Sequence, residues 1–485
     1  MMASTALMLG IVADDLTGAN DCALPMVRLG YQASVLSMSP DSKALAGLHA
    51  QLTQRPPAGF APASEKPAVL SLNTQTRSLD AATATERVFQ ATRLLLEHTG
   101  VESLYKKVDS TLRGHVAYEC LATLEAIGGE CAFLVPAFPQ EGRQTVGGYH
   151  LLRGQPLERT EAARDPQNPV NASFIPGMLK RLLPQQPQWI GHIGLKKVMG
   201  GAGPLLQAMT EAIKEGQRLV VIDAAGDVDL EQIALALERL RQQHRVLPCG
   251  AAGLMQAMTR VCGSQRQTVT QTNTLPGIPA RPILVMNGSN TPMGRQQMVR
   301  LCDPTTRIDD TVPVHRLDLT PEQLLGLASL APVVSDIQQQ VAANHTVVVN
   351  TAPTESSVAQ TQALGETHGL NAPATHRQVQ FTLRQLVGQL ATLPVQWVFC
   401  GGETSFQAGL ALHQSKLGQQ QEDGHPGNPP VHWEQGFQWQ ILAELSPNIP
   451  LCQDAAGRWL VSKSGNFGHP DTLIELVRQL KRLEV

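Results

Sequence analysis

What is scarce in these 485 residues narrows the field first. Charged residues make up only 16% and the formal net charge is −3, so no basic field exists to hold a nucleic acid. Aromatics are 4%, too few for a base-stacking platform. Any anionic ligand must therefore be held by a local site. The eight cysteines (Cys22, Cys120, Cys131, Cys249, Cys262, Cys302, Cys400, Cys452) are scattered, and none forms a CxxC pair. They read as reduced thiols of a cytoplasmic protein. No Lys or Arg precedes the first apolar run, and Asp14 and Asp15 interrupt that run early, which excludes a signal peptide or a membrane span there. No later stretch approaches ~18 uninterrupted apolar residues, so no membrane partner is expected. The histidines lack zinc spacing, a GxxxxGK[ST] loop is absent, and no GxGxxG follows the first apolar run.

Hydrophobic residues, at 42%, are enough for a real core. They come in short runs at 7–12, 33–36, 68–72, 103–107, 132–135, 219–222, 283–286, 346–349 and 397–400. Each is followed by small or polar turn residues and then by a helical pattern, as at 81–97, 117–127, 204–215, 230–243, 295–301, 321–330, 378–393, 405–413 and 472–483. That alternation predicts an α/β protein of two domains, each a mostly parallel doubly wound sheet flanked by helices. The polar, then Pro-rich stretch "SQRQTVTQTNTLPGIPARP" (264–282) is the expected boundary. Domains of 1–265 and 283–485 follow, with a linker at 266–282. A polar stretch at 414–436 reads as a surface insertion in the second domain.

Ligands of such sheets sit at the carboxyl ends of strands, and the chemistry-bearing residues lie there. "ADDLTGAND" (13–21) ends a buried strand on two adjacent carboxylates. Alternation sends them in different directions. One is expected to cap the turn or helix that follows, and the other to face a crevice as a base or hydroxyl acceptor. "NTQTR" (73–77) and "KKVDSTLRGH" (106–115) also follow apolar strands. The second packs Lys107, Asp109, Ser110, Thr111 and Arg113 into seven positions, an oxyanion site with added cations. The long Pro- and Gly-rich segment 136–170 could be a closing loop or a plain connection, and His150 within it is expected to be structural or solvent-facing. In the second half, "VMNGSNTPMG" (285–294), "VFCGGETSFQAG" (398–409) and "SKSGNFGHPDT" (462–472) are Gly-rich turns. Glycines let a backbone approach a phosphate, and helix N-termini offer free N–H groups, which favours a nucleotide site.

Taken together and in this order, "ADDLTGAND", "NTQTR", "KVDSTLRG", "PAFPQEGR", "GAAGL" (250–254), "NGS" (287–289), "GGETS" (401–405) and "KSGNFG" (463–468) resemble the four-carbon acid sugar kinase family. The form "ADDLTGAND" with "DSTLRG" is most similar to its D-threonate-phosphorylating branch. The resemblance implies an ATP- and Mg²⁺-dependent transfer to the terminal hydroxyl of a four-carbon sugar acid. D-erythronate and 3-oxo-tetronate are the alternative acceptors. It also implies an N-terminal acid-binding domain and a C-terminal nucleotide-binding one. By motif, Asp14, Asp15, Arg77, Lys107, Val108, Asp109, Ser110 and Arg113 would meet the acid. Ser289, Gly401, Gly402, Glu403, Thr404 and Gly465 would meet ATP. Asp15 is the expected hydroxyl-orienting residue or base and Asp14 the cap or second hydroxyl contact, with the reverse open. The segment "SPNIPL" (446–451) departs from the family pattern, and the 414–436 insertion looks longer than its norm. Mg²⁺ ligands, substrate stereochemistry and any homo-oligomer are left open. More distant readings are a non-catalytic sensor and a dinucleotide-dependent oxidoreductase.

Overall fold

The computed structural model describes residues 8–38, 44–54, 68–165, 168–265, 277–303, 314–419 and 436–483. Most of the expected linker and of the 414–436 insertion lies outside these. The chain divides into two units, Met1–Gln271 and Thr272–Val485. Among the described residues no helix is long and apolar enough to cross a membrane.

In the first unit the six expected apolar runs become buried strands, as parallel sheets require, and two strands that were not expected, at 190–193 and 246–250, join them, the first with His192 exposed at the sheet edge. They are β1 (Met8–Ala13), β2 (Gln32–Ser37), β3 (Ala68–Asn73), β4 (Ser103–Lys107), β5 (Cys131–Val135), β9 (Ile190–Ile193), β10 (Leu219–Ile222) and β11 (Val246–Gly250). They form a parallel sheet in the order β2-β3-β1-β4-β11-β5-β10-β9. The chain leaves β1 towards one edge and later returns to its other side at β4. Between β1 and β4 lies a switch point, where loops part and leave a crevice at the carboxyl ends.

The segment from 136 to 170 is more than a bare connection. It folds into a small antiparallel ribbon of β6 (Arg143–Val146), β7 (Tyr149–Leu152) and β8 (Gln155–Pro156), with 3-10 turns on either side. The Gly147-Gly148 corner has left-handed backbone at both residues, as a two-residue hairpin requires. The buried Asp223 carboxylate accepts from the Gly147 and Gly148 N–H groups at 2.7 and 2.9 Å, which fixes the corner.

In the second unit β12 (Ile283–Asn287), β13 (Val314–Asp318), β14 (Thr346–Asn350), β15 (Gln396–Cys400) and β18 (Trp459–Lys463) are parallel, in the order β13-β14-β12-β15-β18. The antiparallel β17 (Ile449–Asp454) and β16 (Phe437–Ser446) extend that edge. Ile278, in the expected linker, is buried, and its N–H bonds the Leu483 carbonyl, so the end of that stretch packs on this unit. Of the helix expected at 321–330 only Pro321–Leu324 is helical; it stops before Gly326, whose left-handed φ of 73° ends it, and a separate helix that was not expected, Ala331–Ala342, follows.

Candidate functional site

In the first unit the site is built where β3, β1 and β4 end side by side. Beyond β1 the backbone turns into the helix Leu16–Val27, and Asp15 is its N-cap: its Oδ1 accepts from Gly18 N–H at 2.9 Å. The cap expected of Asp14 therefore belongs to Asp15, because Asp15 takes the extended backbone from which a side chain reaches the next turn. Beyond β3, Thr74 N–H bonds the Ala13 carbonyl and Thr76 N–H bonds the Asp14 carbonyl. This backbone zipper delivers Arg77 to the acids. Arg77 Nε and Nη2 donate to Asp14 Oδ2 and Oδ1 at 2.7 and 3.0 Å, a bidentate fork, and Nη1 lies 2.9 Å from Asp15 Oδ2. Burial alone would raise the Asp14 carboxyl. The charge and hydrogen bonds of Arg77, with Lys106 and Lys107 behind, outweigh it and hold Asp14 below the ordinary range. Asp15 is the more open of the two, its side chain 22% exposed against 5%.

The turn after β4 is organised by Asp109. Its Oδ2 accepts from Thr111 N–H, Thr111 Oγ1 and Arg113 Nε at 3.1, 2.5 and 2.9 Å, and its Oδ1 accepts from Arg113 Nη2 at 2.9 Å. Burial opposes its ionisation, but Arg113 and then Arg77 keep Asp109 well below the usual carboxylate range. Arg113 Nη1 reaches Asp165 at 3.1 Å. Val108 is buried, and its carbonyl accepts from Lys107 Nζ at 2.8 Å. A Cβ on Gly18 would stand 2.7 Å from Asp15 Oδ1 and 2.8 Å from Lys107 Nζ, so the glycine makes room for both. The Ser110 carbonyl is 2.8 Å from His150 Nε2, while His150 Nδ1 is 2.8 Å from Thr145 Oγ1. The imidazole is wholly buried, which pushes its pKa down to about 4, so it is a neutral strut at pH 7.

Beneath this lies a buried pair absent from the sequence reading. Lys106 Nζ is 2.7 Å from Glu119 Oε2, and Glu119 Oε1 accepts from Thr76 Oγ1 at 2.7 Å. Against burial, Glu119 holds Lys106 protonated. Adjacent lysines on one strand face opposite ways, so Lys106 braces the floor and Lys107 the crevice.

In the second unit the Gly-rich turns converge at the ends of β12, β15 and β18. Gly401 has φ 114°, open only to glycine without strain, and opens the helix Gly402–Gln419. A Cβ on Gly465 would meet Ser289 Oγ at 2.2 Å, and one on Gly288 would meet Thr404 Oγ1 at 2.0 Å. Ser289 Oγ and Thr291 Oγ1 are 3.0 Å apart, and Thr291 Oγ1 donates to the Gly465 carbonyl at 2.9 Å. Ser289, Gly401, Thr404 and Gly465 are thus in close contact, with Gly402 and Glu403 in the first helical turn. Glu403 Oε1 accepts from Gln407 at 2.9 Å. The amide ladder Asn287–Asn350–Asp318, with steps of 2.8 and 3.2 Å, ties the strand ends and was not expected. A helix start approached by glycine backbone is a phosphate cradle.

A family model described as a sugar-binding N-terminal domain matches residues 9–258, and one described as a nucleotide-binding C-terminal domain matches residues 284–433. The chain is 30% identical to the D-threonate kinase of Bordetella bronchiseptica, over 98% of this chain and 97% of that one. This chain belongs to the four-carbon acid sugar kinase family. Other relatives in the family include the D-erythronate kinase of Heliobacterium modesticaldum, 34% identical over 46% of each chain. The 3-oxo-tetronate kinase of Actinobacillus succinogenes is 25% identical over 96% of this chain and 98% of its own. Among solved structures, one from Salmonella typhimurium LT2 superimposes with a TM-score of 0.70 at 22% identity, covering 97% of this chain and 98% of its own. Haemophilus influenzae protein HI1011 does so with a TM-score of 0.65 at 21% identity, covering 97% and 100%. At such identities these two speak for the fold alone. In this family chain, the residues the sequence assigns to the acid all fall in the sugar-binding match. Those it assigns to ATP before residue 434 fall in the nucleotide-binding match, and Gly465 lies beyond it.

Proposed function

We propose that the chain transfers the γ-phosphoryl group of ATP to the 4-hydroxyl of D-threonate. The acid binds at the ends of β3, β1 and β4, and the nucleotide at the Gly-rich turns of the second unit. The observation that carries this is the cluster of carboxylates and cations at those three strand ends, inside the sugar-binding match. Phosphoryl transfer asks a protein mainly to position the groups and to neutralise charge. Asp15 Oδ2, held by Arg77 and open to solvent, orients the attacking hydroxyl and takes its proton late in the transfer. Asp14, spent on Arg77, fixes that guanidinium. The first-turn N–H groups of the helix Gly402–Gln419 and the Ser289 hydroxyl receive the phosphates.

Among the described residues no group of three or more His, Cys, Asp or Glu side chains is placed to hold a metal ion. Mg²⁺ keeps most of its coordination on phosphates and water and needs only one or two protein oxygens, so the lack of such a group does not count against it. When bound, it neutralises charge on the triphosphate.

D-erythronate and 3-oxo-tetronate are the second reading, favoured by relatives so named that match this chain. A coupled assay of ATP consumption over the three acids decides. The expected result is the highest kcat/KM with D-threonate, by about tenfold or more, since one displaced hydroxyl leaves a polar group unpaired. Turnover of none of them above the ATPase background defeats the proposal.

A further inference from the structure

Arg77 and Arg113 are, with Lys107 and Ser110, the donors expected for the acid's carboxylate, yet both guanidinium forks are already filled. Arg77 meets Asp14 and Asp15 with Nε, Nη1 and Nη2, and Arg113 meets Asp109 and Asp165 with the same three nitrogens. Arg143 is different. It is 7% exposed, its Nη1 donates to the Glu141 carbonyl, the Glu141 carboxylate stands off at 3.8 Å, and its Nε has no partner among the described residues. A buried guanidinium so poorly matched is costly unless an anion completes it. Burial accordingly presses the Arg143 pKa down, whereas the carboxylates around Arg77 and Arg113 carry theirs up.

Its placement points to the substrate. Along β6, Arg143 and Thr145 face inward and Gln144 and Val146 outward. Thr145 pairs across the ribbon with His150, and His150 reaches the Ser110 carbonyl. The ribbon face that carries Arg143 is therefore the face seated on the Ser110 turn, within electrostatic reach of Asp109. We infer that Arg143 is the carboxylate-binding residue of the acid site, offering the planar fork that Arg77 and Arg113 have spent. The inference rests on the sugar-acid kinase reading and adds to it the group that selects an acid over a neutral polyol. A guanidinium fork matches the two oxygens of a carboxylate, and an ammonium in its place keeps the charge without that geometry.

The test is steady-state kinetics of the wild type, Arg143→Gln and Arg143→Lys. Each is assayed with D-threonate and with its uncharged C1 amide. Arg143→Gln should raise the KM for the acid about 30- to 100-fold, leave the KM for ATP within twofold, and shrink the preference for acid over amide by a similar factor. Arg143→Lys should fall between, at about tenfold. Removing a poorly paired charge should not lower the melting temperature, and if Arg143→Gln does not fold, the lysine variant carries the test. An unchanged acid KM, or equal losses towards acid and amide, overturns the inference while leaving the kinase reading intact. A wild type that phosphorylates no four-carbon acid defeats that reading and this inference with it.

Discussion

Asp15 divides its two oxygens between a helix cap and a guanidinium, and that division makes its role testable. Asparagine caps as well as aspartate does, so Asp15→Asn should keep the fold. It should also keep nucleotide affinity within about twofold and lower kcat by about 100-fold or more, on the scale of a lost general base. Binding isotherms beside turnover separate the two, and full activity removes Asp15 from the chemistry. Asp14→Ala should instead cost stability, about 2 kcal/mol in urea unfolding. That is less than for an isolated buried pair, because Asp15 and Asp109 still face Arg77. His150 sets a pH signature. Its folded pKa of about 4 lies below the ordinary 6.5, so the unfolded chain takes up a proton that the folded one refuses. Its contribution is whole above pH 6.5 and is lost as pH falls to 4, on the order of 3 kcal/mol. His150→Gln should flatten unfolding free energy over that window, and an unaltered slope would refute the assignment. Asp14, titrating below its ordinary value, adds its own loss only below about pH 4. At this scale Asp14, Asp15 and Lys107 were legible because each stands at or just past the end of an apolar run, whereas Arg77, four polar residues beyond its run, was singled out only by the family motif. Glu119 and Arg143 were not legible, since their meaning depends on partners far along the chain.

At the scale of elements, the turn after β15 concentrates the constraint. Gly401→Ala would force a side chain onto φ 114°, beside Thr404 Oγ1 at 3.2 Å and Ser289 N at 3.6 Å. The KM for ATP should rise about tenfold or more while the KM for the acid stays within twofold, as initial rates would reveal. Equal damage to both would mean that the turn supports the fold and not the nucleotide. Most of the parallel strands were readable because burial on both faces writes an unbroken apolar run; β9, β11, β13 and β18 were not read, β13 because "VHRLD" is polar and partly exposed. The ribbon β6–β8 was hidden, because four-residue strands hold too few alternations to stand out beside glycine and proline. In β16 the alternation is plain in "FQWQILAELS" and its burial alternates residue by residue, yet it directly follows the polar stretch at 414–436 and was not read as a strand.

For the whole molecule, the division of ligands between units has a direct readout. Hydrogen exchange with D-threonate alone should slow amides within 9–258, and with the nucleotide alone amides within 284–433, since a ligand stabilises the structure it binds. Protection by the acid confined to the second unit would reverse the assignment. The two-unit plan was open to sequence reading because the interruption at 264–282 is compositional. Strand order was not, since β11 follows β10 in the chain yet lies between β4 and β5. That insertion has a consequence on the ribosome. The middle of the first sheet is filled last, so until Val246–Gly250 emerges β4 and β5 hold bare edges towards each other. At about 5–20 residues per second the gap stays open for roughly 6 to 20 seconds. Nascent chains stalled just short of that strand should be the form most in need of a chaperone.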